Sequence, residues 1–228
     1  VAKRWRELVI YPDQMRDPYE RLRASYQIKK ENIRRRLCEF QEFFSRASDF
    51  EIFEELVFCI LTSNAGARMG MRAVERLRDI LLSGSHEEIY GRLKNAYRYP
   101  GHASYIVTTR EFLKDYCGLR LKELVLSFRD SMERRDFFAL SKEIKGIGYK
   151  QASHFLRNIG FGGYAILDKH VVASLYEYGV VDSPKPPSTR RRYLEVEGKL
   201  RDFAEKVGVG FDEMDLLLWS ERTGEILK

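Results

Sequence analysis

Lys150 and Asp168 are the two residues of this chain whose types and settings best suit covalent chemistry. Lys150 closes the tight turn Lys145-Gly146-Ile147-Gly148-Tyr149-Lys150. It stands at the start of a short helix running from Gln151 to Ile159, where the helix dipole disfavours a cation. With partial burial, that placement predicts a depressed pKa and a larger share of neutral amine, which is a nucleophile. Taken alone, a lysine is more often a solvated surface residue. Asp168 follows the apolar run Ala165-Ile166-Leu167 and precedes the helical periodicity of Val172, Leu175 and Tyr176. That pattern makes it an N-cap. A carboxylate can cap a helix and still face a cleft.

The elements around Lys150 must hold it in place. A short amphipathic helix beginning at Asp136 would carry Phe137, Leu140 and Ile144 on one face, and the second helix carries Ala152, Phe155, Leu156 and Ile159. Between them, Gly146 and Gly148 are expected to take positive φ and to let a partner approach the backbone closely. A turn that opens a helix also aims N–H groups outward, which suits a phosphate. Residues 136–160 thus read as a helix-hairpin-helix. A bare Gly-x-Gly fits an ordinary glycine-capped connection as well.

Elsewhere the pattern is helical almost throughout. Phe53, Leu56, Val57, Ile60 and Leu61 fall on one helical face, and glycines at 101, 118, 160 and 162–163 break the runs. The segment Ser183-Pro184-Lys185-Pro186-Pro187-Ser188 reads as an extended linker. No sustained apolar–polar alternation marks a strand, so the expected fold class is all-α. In the last helix, Asp212 is the expected N-cap, and Asp215 and Trp219 share a face at i, i+4. Alone, these would be a first-turn acid and a core tryptophan. Gly224 can close that helix and let Glu225-Ile226-Leu227-Lys228 fold back, with Ile226 and Leu227 as apolar anchors.

Charge adds a direction. Lys+Arg outnumber Asp+Glu by 40 to 34, with basic clusters at Lys3/Arg4/Arg6, Arg34-Arg36 and Arg190-Arg192. Such clusters suit a phosphate backbone, although charge alone fits a solvated surface equally well. No apolar run is long enough to span a bilayer. The segment Val1–Ile10 is too basic for a secretory signal. The three cysteines, Cys38, Cys59 and Cys117, lie too far apart for a disulfide or metal framework. These features point to a cytoplasmic protein.

The lysine turn, followed by Asp168 within Ile166-Leu167-Asp168-Lys169-His170, resembles the signature of the helix-hairpin-helix DNA glycosylase superfamily. There the lysine marks members that are both glycosylase and AP lyase. Endonuclease III and the adenine-specific members carry an iron–sulfur cluster on four C-terminal cysteines, and no cysteine follows Cys117 here. Eukaryotic-type 8-oxoguanine glycosylases have a large β-rich N-terminal region, whereas the segment before the first core helix here reads as helical. The chain is most similar to the compact 8-oxoguanine DNA glycosylase/AP lyases of archaea and some thermophilic bacteria, over nearly its whole length. The segments that carry the likeness are 58–64, 144–158 and Asp215-Leu216-Leu217-Leu218-Trp219, with the terminal Lys228. Arg98-Tyr99-Pro100-Gly101-His102 fits less closely.

The resemblance implies two helical lobes, a central one of about residues 51–135 and a second from 1–50 with 136–228. The active site would lie in the groove between them. A base must leave the stack before its glycosidic bond can be reached. Lys150 would attack C1′ and Asp168 would support positive charge on the sugar. The lysine–sugar imine would then undergo β-elimination with no metal or cofactor. Asn64, otherwise a turn or C-cap residue, would fill the gap left by the flipped base. Gly146 and Gly148 would present backbone to DNA, and Asp215, Trp219 and Lys228 would read the base. The implied partner is double-stranded DNA bearing 8-oxoguanine or an abasic site, met by a monomer at the nucleoid. A glycosylase/lyase for oxidised pyrimidines and a non-catalytic DNA-binding module are the two other functions this sequence accommodates.

Overall fold

The computed structural model describes residues 17–63 and 65–226, and regular structure among them is helical throughout. None of these helices is long and apolar enough to cross a membrane. Helix α1, Pro18–Arg46, opens on Asp17, whose carboxylate accepts the Tyr19 amide at 2.9 Å, with proline at the first helical position. Helix α2, Asp49–Leu61, starts at a reciprocal capping box between Ser48 and Glu51. The sequence gives α2 one apolar face. In the fold every residue from Ile52 to Leu61 except Glu54 is buried, because other helices surround it.

Those neighbours are α3 (Ala67–Leu77), α4 (His86–Lys94), α5 (His102–Cys117) and α6 (Leu121–Ser127). The hairpin follows as α7 (Ser131–Leu140) and α8 (Tyr149–Asn158), which pack on each other, with α8 also against α2. The chain ends in α9 (Lys169–Glu177), α10 (Arg190–Val207) and α11 (Phe211–Thr223).

Two apolar clusters result. One gathers α2 to α6 with the hairpin residues Phe138, Ile144, Ile147, Ala152, Phe155, Leu156 and Ile159. The other joins Leu22, Tyr26 and Ile33 of α1 to α9, α10 and α11. Most apolar side chains of the hairpin pack with the central helices, while its Tyr149 belongs to the second cluster. Each buried Leu, Ile or Phe contributes roughly 1.5–3 kcal/mol, so these contacts govern where α8 sits.

Several local expectations need correction. The first hairpin helix begins at Ser131, because the Asp130 carboxylate caps the amides of Met132 and Glu133 at 2.9 and 2.8 Å. Leu140 is 55% exposed and Ile144 lies in the turn, so the buried face of α7 is set by Arg135 and Phe138. Gly148 has φ −108° and ψ −168°, an extended backbone open to any residue; only Gly146, at φ +75°, needs glycine for its conformation. Tyr176 is exposed, so the periodicity of α9 is carried by Val171, Val172 and Leu175. Helix α11 is capped at Gly210. Asp212 sits within its first turn and accepts the Gly163 amide at 2.7 Å.

Arg135 and Glu197 form a buried ion pair between the clusters. Arg135 of α7 donates to both Glu197 oxygens of α10, at 2.6 and 2.8 Å, amid the rings of Tyr149, Tyr164 and Tyr193. Glu197 also accepts the Ala165 amide at 3.0 Å, which fixes the segment leading to Asp168.

Candidate active site

Lys150 is the second residue of α8, whose N-cap, Gly148, brings no capping side chain. The turn before it is held from below: the Lys145 amide donates to Thr109 Oγ1 at 3.0 Å. A Cβ on Gly146 would come within 2.9 Å of the Tyr105 ring and 3.3 Å of Ile60, so the turn lies tight against α5 and α2. Around Gly148, by contrast, the position of a Cβ is open.

Asp168 caps α9 as its sequence setting predicts. Its Oδ1 accepts the amides of His170 at 2.8 Å and Val171 at 2.9 Å, leaving Oδ2 outside both bonds. Lys150 and Asp168 line one cleft of about 620 Å³, with Thr62 and Ser63 after α2, the His154 and Arg157 face of α8, and Asp215 and Trp219 of α11.

Burial is the main force on the Lys150 amine and pushes its pKa below the ordinary lysine value. The Asp168 carboxylate and Cys59 act in the opposite sense, and the Arg157 guanidinium reinforces the depression. The direction agrees with the sequence, but burial leads the causes where the helix dipole was first invoked.

Asp215 and Trp219 do share a face, and both reach the cleft. Trp219 is half-buried against the second cluster. Asp215 is 3% exposed and already engaged: it accepts from Arg157 at 3.3 and 3.5 Å and from the Ile166 amide at 2.8 Å. Burial raises its pKa to about 6, against the lowering influence of Arg157 and the amides.

Asn64 and Lys228 lie outside the described residues, as does Leu227. Ser63 and Ala65, on either side of Asn64, line the cleft. At the other end, Gly224 closes α11 at φ +73°, as its position predicts, and Ile226 packs against the second cluster.

Sequence reasoning missed two parts of this site. Gln151, His154 and Arg157 form a polar stripe with Lys150 on α8, opposite the apolar stripe of Ala152, Phe155, Leu156 and Ile159. Spacing of i, i+4, i+7 from the lysine would have found His154 and Arg157. Pro186 and Pro187 were read as linker and instead line the cleft; no local pattern encodes that long-range approach.

Comparison with known proteins agrees with this geometry. A family profile described as 8-oxoguanine DNA glycosylase matches residues 33–209. A protein of Methanocaldococcus jannaschii named 8-oxoguanine DNA glycosylase/AP lyase is 42% identical over 201 residues, spanning 87% of this chain and 93% of its own length. A protein of the same name from Korarchaeum cryptofilum is 40% identical, over 87% of this chain and 91% of its own length. The crystal structure of the Methanocaldococcus jannaschii 8-oxoguanine glycosylase/lyase in complex with a 15mer DNA containing 8-oxoguanine superposes with a TM-score of 0.81. At 39% identity, it covers 91% of this chain and 99% of that one. With its all-helical hairpin architecture, and a lysine and a carboxylate facing one cleft, this chain belongs to the 8-oxoguanine DNA glycosylase family.

Proposed function

We propose that this protein excises 8-oxoguanine from double-stranded DNA and then cleaves the abasic strand by β-elimination through a Schiff base on Lys150. The observation that carries the reading is the placement of Lys150 and Asp168 on one cleft, with burial holding the amine below its ordinary pKa. The lone pair of the neutral amine forms a bond to C1′ while the glycosidic electrons leave with the base. Asp168 offsets the positive charge that develops on the sugar. Opening of the sugar ring gives an imine. Its electron withdrawal acidifies C2′–H, and loss of that proton expels the 3′ phosphate.

The rest of the site suits the same substrate. The uncapped start of α8 and the open surface at Gly148 offer backbone amides to a phosphate. Trp219 offers a ring face to an extruded base. Asn64 would enter the space that base vacates, and Lys228, with Asp215, would read its edge. The two apolar clusters support a two-lobed reading.

Duplexes carrying 8-oxoguanine or thymine glycol test the assignment. The expected result is release of the purine lesion followed by a strand break bearing a 3′ unsaturated aldehyde. Preferential release of thymine glycol would reassign the substrate, and binding without release of either would leave only a DNA-binding module.

A further inference from the structure

Helix α8 turns Lys150, His154 and Arg157 toward the cleft at i, i+4 and i+7. Arg157 stands two turns on from Lys150 in this stripe, about 10 Å along the helix axis, and lines the same cleft. Its guanidinium is not a mobile surface charge. It is 7% exposed and held from three helices: by Asp215 of α11 at 3.3 and 3.5 Å, by the adjacent Asn158 Oδ1 at 3.4 Å, and over the Phe40 ring of α1 at 5.4 Å. Asn158 is in turn anchored, donating to Glu55 of α2 at 2.7 Å. The Arg157 Nε–H, also buried, has no hydrogen-bond partner. A buried ion pair with an unmet donor is a poor stability device, since apolar side chains of similar volume commonly serve as well or better.

We propose that Arg157 is a positioning residue for catalysis: a fixed positive charge, anchored by Asp215, that keeps the neighbouring Lys150 amine neutral and therefore nucleophilic. This rests on the reading of Lys150 as the nucleophile. The groups around that amine come from four elements. Cys59 and, farther off behind Asn158, Glu55 belong to α2; His154 and Arg157 to α8; Asp168, Lys169 and His170 to the start of α9; Asp215 to α11. Asp168 and Cys59 favour the ammonium form, while Arg157 is the cation that opposes it. An ammonium ion has no lone pair with which to form the N–C1′ bond. Burial does most to disfavour the ammonium form, and Arg157, its charge partly offset by Asp215, adds the smaller push in the same direction.

The test uses a duplex with a preformed abasic site, which isolates imine formation from base recognition. The amine adds to the C1′ aldehyde, water leaves, and cyanoborohydride delivers hydride to fix the imine as a secondary amine. Initial trapping rates are measured against pH for the unaltered protein, Arg157→Lys, Asp215→Asn and the double variant Arg157→Met/Asp215→Asn. Removing the pair as a unit should raise the midpoint by a fraction of a pH unit, with about two- to threefold slower trapping below it. Arg157→Lys should keep the midpoint, and Asp215→Asn, which leaves the cation uncompensated, should lower it. An unmoved midpoint in the double variant, with rates scaled equally at all pH values, would overturn the proposal and make Arg157 a structural brace. If the double variant fails to fold, Asp215→Asn decides, and a midpoint that stays or rises there overturns it. Trapping that persists in Lys150→Gln would instead show that the nucleophile itself was misassigned.

Discussion

Arg68 of α3 is ion-paired with Glu225, just beyond the end of α11, so the last described residues are tied to the helix that follows the cleft residues Ser63, Ala65 and Gly66. Thr223 Oγ1 accepts the Glu225 amide at 3.3 Å, and Ile226 packs on the second cluster. A chain end with no such ties would ordinarily fray. The base-reading role proposed for Lys228 requires the residues after Ile226 to enter the cleft. 8-Oxoguanine carries a proton on N7 where guanine has a lone pair, and one unmet buried hydrogen-bonding group is worth about 1–3 kcal/mol, a tenfold to hundredfold preference. Deleting Lys228, or extending the chain past it, should therefore cripple 8-oxoguanine excision and spare lyase activity on preformed abasic sites. Equal effects on both activities, measured side by side, would exclude a base-reading terminus.

Asp168 has a structural duty and a chemical one, and they can be separated. Asparagine retains an oxygen for the amides of His170 and Val171, so Asp168→Asn should unfold at nearly the same denaturant midpoint, with at most about 1 kcal/mol lost. Base excision should still fall by orders of magnitude, since the negative charge opposite the sugar cation is gone. A folded variant that excises at the normal rate would leave Asp168 as a cap only.

The Arg135–Glu197 pair should dominate the stability that joins the two clusters. Glu197→Ala strands a buried guanidinium and an unmet Ala165 amide, and should cost about 3–5 kcal/mol. Replacing both partners with apolar residues should recover most of that loss. Equilibrium denaturation of the single and double variants checks the pattern, and a Glu197→Ala cost under about 1 kcal/mol would contradict the buried pairing.

How far the sequence carries can be judged residue by residue. Asp168 was legible because N-capping is local, set by one side chain and the next three amides. The cleft position of Lys150 was legible through its turn, and Gly146 through its place in that turn, where the expected positive φ and close approach are found against Tyr105 and Ile60. Gly148 was misread because an uncapped helix start needs open space rather than positive φ. The start of α11 was misplaced because Asp212 is drawn to the Gly163 amide, a partner distant in sequence. The Pro186-Pro187 wall was missed because it depends on the tertiary course of the chain; the cleft-facing position of Arg157 was open to helical spacing, but its pairing with Asp215 was not. The helices themselves followed from periodicity, but which cluster the hairpin joins did not, since Phe138 and Phe155 would suit an apolar surface on either side.

Asp215 should leave a signature in the pH dependence of stability. Its carboxyl titrates from an ordinary 3.8 when unfolded to about 6 in the fold, so the folded protein binds this proton more tightly. The associated stability is complete below about pH 4 and is lost as pH rises through about 6. Asp215→Asn removes the titration. Relative to the unaltered protein, this variant should gain up to about 3 kcal/mol between those limits. Parallel stability curves for the two proteins from pH 4 to 7 would show that the carboxyl is not displaced.

The central claim is that one lysine both releases the base and cleaves the strand, and covalent capture tests it most directly. An 8-oxoguanine duplex is incubated with the protein and borohydride, and the adduct is digested and located by mass spectrometry. The account predicts one DNA-bearing peptide, modified at Lys150, and no adduct with Lys150→Gln, which should still bind the duplex through the backbone of the hairpin. A stable adduct at any other residue, or capture undiminished in Lys150→Gln, would contradict it.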